Sequence, residues 1–221
     1  MRKTAAAIVL GTLILAVSCG PPSRNENTLG SVCFDLSIYY NNDGISSNNN
    51  RRDGNIDTPE NPYGSSYPAE ELPSEYRIVP VTSVPGLLVL FPPREDGKLN
   101  NISCRKQILK GFTPLHYTAV YFVGSGTMGD QYGVFKVKYK DGTIENLELT
   151  FKDWCSKDLA ITDVTAFKAQ HRHTFQGEDE DTPCMMYALK IPVAAGKFLD
   201  QIQLPDKSDI HIFAVTAMVN I

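Results

Sequence analysis

The segment from Phe135 to Phe151, FKVKYKDGTIENLELTF, alternates apolar and polar residues on both sides of a single Asp141-Gly142. An Asp-Gly pair between alternating runs is the strongest short-range signal for an antiparallel hairpin, because it accepts the positive φ angles of a two-residue turn. Successive side chains of a strand point to opposite faces. Phe135, Val137 and Tyr139 therefore share one face and Lys136, Lys138 and Lys140 the other, while Leu147, Leu149 and Phe151 share a face on the returning arm. One side of such a ribbon meets a core and the other meets water. Further short β-like runs recur at 32–40, 77–82, 87–91, 102–109, 117–123, 164–169, 185–191, 198–204 and 210–219, punctuated by Gly, Pro, Asn and Asp. Many short strands without a helical stretch predict an all-β protein, an antiparallel two-sheet β-sandwich or a barrel.

The N-terminus opens on Met1-Arg2-Lys3 and continues as a mostly apolar, uncharged run from Ala5 to Val17, the pattern of a signal peptide over residues 1–18. A spanning helix needs about 20 apolar residues, and this run ends at Ser18-Cys19-Gly20. Ala16-Val17-Ser18-Cys19 resembles the lipobox of bacterial lipoproteins, which implies lipidation of Cys19 and a membrane anchor; it departs at Ala16, where the lipobox usually has Leu. Ordinary cleavage after Ser18 into a secreted or periplasmic form also fits. Residues 19–30 are polar and rich in Pro and Gly without periodicity, a flexible tether, so the domain is expected over 31–221. Once Cys19 is set aside, Cys33, Cys104, Cys155 and Cys184 remain; in an exported chain they form disulfides in one of three connectivities or pack as small apolar side chains. No Cys-x-x-Cys pair suggests structural zinc. The formal net charge is −4, from 21 Lys and Arg against 25 Asp and Glu. No basic block is present, which argues against nucleic acid as a partner.

The connection Asn41–Tyr67 is long for a compact domain and reads as functional or disordered. Within it, Asp53, Asn55 and Asp57 start with the two-residue spacing of a calcium loop, but Thr58 and Gly64 stand where the motif needs Gly and Glu, which leaves a solvated Asx-turn loop. His171 and His173 would point the same way on an extended strand and could share a metal with a nearby carboxylate. The acidic run Glu178–Asp181 beside them favours an exposed polar loop instead, and no metal or cofactor is expected. Nucleophile-elbow, zinc-protease and phosphate-loop motifs are absent, and the carboxylate pairs are those any acidic chain carries, so no catalytic residue is assigned. Sugars present C–H faces that stack on flat rings and hydroxyls that need polar partners. Tyr63 and Tyr67, with Arg52, Asn55 and Asp57 close in sequence, are the candidate ligand contacts; for Tyr67 the competing reading is an anchor of the loop onto the core. Trp154, the only tryptophan, reads as a core or sheet-corner residue.

Tyr40-Asn-Asn-Asp-Gly-Ile45, Arg52-Asp-Gly-Asn55, Ser66-Tyr-Pro-Ala-Glu-Glu-Leu-Pro73, Tyr139-Lys-Asp-Gly-Thr143, Phe151-Lys-Asp-Trp154, Ile191-Pro-Val-Ala-Ala-Gly-Lys197, Ile202-Gln-Leu-Pro205 and Ile210-His-Ile-Phe-Ala-Val-Thr216 follow one another in an order that resembles the jelly-roll-like β-sandwich accessory modules of secreted bacterial glycoside hydrolases. The resemblance runs from about Tyr39 to the end, and its motifs occupy structural positions rather than sugar contacts. It implies a non-catalytic carbohydrate-binding or glycan-associated module. With no catalytic domain alongside, a cell-envelope lipoprotein that binds a glycan or polysaccharide is expected. The alternative is a structural or protein-docking envelope component without a sugar site.

Overall fold

The computed structural model describes residues 29–57, 64–155, 162 and 164–220. The leader, Cys19, the tether up to residue 28 and Tyr63 lie outside them. Among the described residues sixteen strands form, numbered in chain order, and the one helical element is a 3-10 turn at Ala69–Glu71. The larger sheet contains β1 (Leu29–Cys33), β6 (Ile102–Arg105), β8 (Tyr117–Gly126), β11 (Thr165–Ala169), β14 (Cys184–Pro192) and β16 (Asp206–Asn220). Its order is β1-β16-β8-β14-β11, with β6 also pairing β16. The smaller sheet contains β7 (Ile108–Lys110), β9 (Gln131–Tyr139), β10 (Ile144–Phe151) and β15 (Leu199–Gln203), in the order β10-β9-β15-β7. All pairings within these two sheets are antiparallel. The protein is a β-sandwich, and its first strand begins at Leu29, two residues inside the segment read as tether.

The hairpin is where the alternation places it. Gly142 takes φ +88° in the turn, a left-handed conformation that glycine reaches without a Cβ clash. Leu147 then pairs with Phe135 and Glu145 with Val137. Phe135, Val137 and Tyr139 are fully buried against Phe122, Phe151 and Ile202 between the sheets. Leu147 and Leu149 are half-buried because β10 is an edge strand.

The larger sheet is buried on both faces. Along β16, Ile210, Ile212, Val215 and Ala217 join the core between the sheets, whereas Phe213, Ala214 and Met218 join a second core on the outer side. A register shift between Ile212 and Ala214 marks the change of side. The cover over this outer face comes from residues 45–91: Ile45, Ile56, Tyr67, Leu72, Val81, Leu87, Val89 and Phe91 pack there with Trp154. Each such side chain contributes about 1.5–3 kcal/mol when fully buried, so this layer is held as a core and not as a loose loop. Two short ribbons lie within it: β2 (Ile45–Ser46) parallel to β3 (Tyr67–Pro68), and β4 (Ile78–Pro80) antiparallel to β5 (Leu88–Leu90). A third ribbon joins β12 (Arg172–His173) to β13 (Asp179–Glu180).

One predicted strand divides. The run 102–109 is two strands in different sheets, separated at Lys106, whose φ of +61° turns the chain from one layer to the other. Cys155 and Cys184 form a disulfide, while Cys33 and Cys104 keep free thiols. Among the described residues no helix is long and apolar enough to cross a membrane.

Candidate functional site

The β12–β13 ribbon is built on its turn. Thr174 N donates to Glu178 O at 2.9 Å and Gly177 N to Thr174 O at 2.8 Å, with Gly177 at φ +83°. The resulting register sets Arg172 opposite Glu180 and His173 opposite Asp179. Side chains alternate across a ribbon. Arg172 accordingly donates through Nε and Nη2 to Glu180 Oε2 at 2.9 and 2.7 Å, and the rings of His171 and His173 come together, centroids 5.4 Å apart.

This ribbon is not the exposed loop expected from its acidic run. His173 is fully buried, because its backbone pairs with Ser66 in both directions at 3.0 and 3.1 Å and its Nδ1 lies 2.8 Å from Ser46 Oγ. The ribbon is thereby docked onto the β2–β3 pair. His173 Nε2 lies 3.4 Å from Asp179 Oδ1 and 3.2 Å from Asn48 Oδ1. His171 Nε2 lies 3.7 Å from the same carboxylate oxygen, and its Nδ1 is 2.9 Å from Glu71 Oε1. Glu71 is fixed in turn by Gln170 N, which donates to Oε2. Arg51 closes the group: its Nε donates to Asp179 Oδ1 at 2.6 Å and its Nη2 to Oδ2 at 3.1 Å.

Burial holds His173 below the usual imidazole range; the His171 and Arg51 charges act the same way, against Asp179 and Glu70. For Asp179, burial raises the carboxyl, but the Arg51 hydrogen bond and charge, with the two imidazoles, outweigh it and leave the group below its ordinary value. His173 is thus a neutral imidazole beside the Asp179 carboxylate at neutral pH. Next to it, Asn48, Asn49, Asn50, Arg51, Arg52 and Gln176 line an open polar cleft with Gly177. Arg52 crosses to donate to Gln176 O through Nε at 2.9 Å and Nη2 at 2.8 Å.

Of the described residues the sequence nominated, Arg52 alone lines this cleft. Tyr67 is fully buried, edge-on to Trp154 and Phe213, and its hydroxyl donates to Met185 O at 2.8 Å. A ring enclosed on its faces cannot stack on a sugar, so Tyr67 anchors the layer. Asp57 is an internal acceptor, taking Ser65 N at 2.9 Å on Oδ2 and Trp154 Nε1 at 3.1 Å on Oδ1. Burial raises its carboxyl while those two hydrogen bonds pull it back. Asn55 Oδ1 accepts from Asp57 N at 3.1 Å, an Asx-turn contact, and Asp53 accepts from Gly97 N. The oxygens read as the start of a calcium loop are thus engaged by separate protein donors. Tyr63 lies outside the described residues. Sequence reasoning missed Asp179, Glu71 and Asn48. The legible signal was the His173–Asp179 spacing around Gly177, which is that of a cross-strand pair in a short hairpin.

A comparison with curated proteins returned no match. A profile of the AziU2-like β-sandwich domain matches residues 32–220, which takes in both sheets, the outer layer and the histidine ribbon. The chain belongs to the AziU2-like β-sandwich domain family.

Proposed function

We propose that this protein is a non-catalytic binding module of the cell envelope, exported, lipid-anchored through Cys19, that takes a hydroxyl-rich ligand of the glycan class. The observation that carries this reading is the polar cleft formed by Asn48–Arg52 and Gln176. Amide and guanidinium groups are the partners that sugar hydroxyls need, and the cleft walls are pinned to each other by the Arg52–Gln176 and Arg51–Asp179 contacts. Preorganised walls lower the ordering cost of binding. The Cys155–Cys184 disulfide supports an oxidising compartment.

The test is retention on insoluble polysaccharides and a glycan array, with Asn49→Ala and Arg52→Ala compared against wild type. Each substitution is expected to weaken retention about tenfold, the loss of one or two hydrogen bonds. No retention on any glycan, or retention indifferent to both substitutions, overturns the reading. A second reading, docking to another envelope protein, is favoured by Tyr132, Val134 and Ile144, which stand exposed on the outer face of the smaller sheet. One dominant crosslinked protein in cells, lost on Val134→Lys, would select it.

A further inference from the structure

We propose that His171, His173 and Asp179 form a binding site for one divalent transition-metal ion of the zinc class, with a coordination position open toward the Asn48–Arg52 cleft. Their ligand atoms lie within 4.8 Å of one another. Both Nε2 atoms face one carboxylate oxygen, at 3.7 and 3.4 Å. Donors bound at about 2.0–2.2 Å around tetrahedral zinc stand roughly 3.3–3.6 Å apart, so the two imidazole–carboxylate separations are already near that spacing and the remaining one, within 4.8 Å, closes by about 1 Å at most.

The hydrogen bonding of His171 points the same way. Glu71 Oε1 lies 2.9 Å from His171 Nδ1, which places the proton on Nδ1 and the lone pair on Nε2. That Nε2 is buried and has no hydrogen-bond partner, although buried polar atoms are normally paired. Ser46 Oγ lies 2.8 Å from His173 Nδ1, where it can donate, with Ser66 Oγ at 2.6 Å and Arg51 O at 3.3 Å as its other neighbours. His173 Nε2 faces two oxygens that accept, Asn48 Oδ1 at 3.2 Å and Asp179 Oδ1 at 3.4 Å, so without an ion it carries a proton there and a metal binds in that proton's place. One imidazole lone pair, one imidazole nitrogen whose proton an ion would displace, and carboxylate and amide oxygens converge, a set that a cation satisfies. A carboxylate holding the distal nitrogen of a ligating histidine is the common support of such sites.

Two imidazoles and one carboxylate suit zinc, cobalt, nickel or copper, whereas calcium and magnesium take oxygen ligands. Arg51 is the competing cation. Its Nε occupies Asp179 Oδ1, and on metal binding the pair would be kept through Nη2 and Oδ2. Three protein ligands leave a fourth position for water or a ligand oxygen. Asn48 and Arg51 border both the site and the cleft, so that position adjoins the cleft. The inference stands whether or not the cleft takes a glycan.

The experiment is calorimetric titration of the chelator-stripped, untagged protein with zinc chloride, alongside cobalt chloride titration followed by visible absorption. Expected are one ion per chain, micromolar affinity or tighter, nitrogen-and-oxygen-type cobalt bands without thiolate charge transfer, and a rise in melting temperature with zinc but not with calcium. His171→Ala and Asp179→Asn, each at a partly exposed position, are expected to lose at least about tenfold in affinity; Arg51→Gln, which removes the competitor, is expected to retain or tighten binding. Melting curves in chelator establish that each variant is folded. No saturable binding, binding unchanged in both His171→Ala and Asp179→Asn, or binding abolished by Cys33→Ser would overturn the proposal.

Discussion

Tyr67 and Asp43 show how single residues in the 41–67 connection are bound to the sheet beneath. The Tyr67 hydroxyl donates to Met185 O at 2.8 Å and meets Ser125 Oγ at 3.2 Å, both buried. Tyr67→Phe keeps the ring and leaves those acceptors without the donor, an expected loss of about 1–2 kcal/mol; Tyr67→Ala adds a cavity and raises the loss to about 3–5 kcal/mol. Chemical denaturation checks both, and a Phe variant as stable as wild type would remove the hydroxyl's role. Asp43 behaves differently because it is ionisable. Burial pushes its carboxyl up to about 7, with Asp53 adding to the rise, while hydrogen bonds from Asn100 and Ile45 N work against it. The folded state therefore holds this proton more tightly than the unfolded chain, where an aspartate titrates near about 4. Its stabilising contribution is complete below that value and is lost as pH rises through about 7. Asp43→Asn retains the Oδ1 acceptor and removes the charge. Wild type is expected to lose more stability than this variant between pH 5 and pH 8; parallel profiles measured by denaturant midpoint would contradict the assignment.

At the scale of elements, the strands and the short ribbons differ in how far they could be read in advance. The β9–β10 hairpin was legible because its alternation, its Asp-Gly turn and its burial all agree. The β12–β13 ribbon was half legible: His171 and His173 share a side as the two-residue spacing requires, yet the burial of His173 follows from backbone pairing with Ser66, more than a hundred residues earlier. No local pattern announces such a partner. The Cys155–Cys184 disulfide, across a separation of 29 residues, ties the exit of β10 to the start of β14 and hence the smaller sheet's edge to the larger sheet. A cross-link of that loop length restricts the unfolded chain by about 3–4 kcal/mol. The double variant Cys155→Ala with Cys184→Ala is expected to lose that much in a denaturant titration, and added reductant should bring wild type down to the same midpoint. Unchanged stability on reduction would show that the link constrains nothing.

Across the whole molecule, two sheets and an outer layer share β16, whose central residues are buried on both sides. The run of short strands announced an all-β protein, and period-two alternation assigned Phe135, Val137 and Tyr139 to the interior. These are local properties: backbone geometry alternates side chains wherever a strand forms, so the chain carries them in its order of residues. What the order of residues left open was which polar residues meet. Asn48, Arg51, Glu71, His171, His173 and Asp179 are spread over more than a hundred positions, and Tyr67 was indistinguishable from a surface ring until Trp154 and Phe213 enclosed it. Their convergence depends on the packing of the 45–91 layer against the larger sheet and on the docking of one short ribbon upon another. Contacts between segments distant in the chain are chosen by tertiary packing, so the alternating residues sufficed for the sandwich while only the assembled layers decided where its candidate site lies.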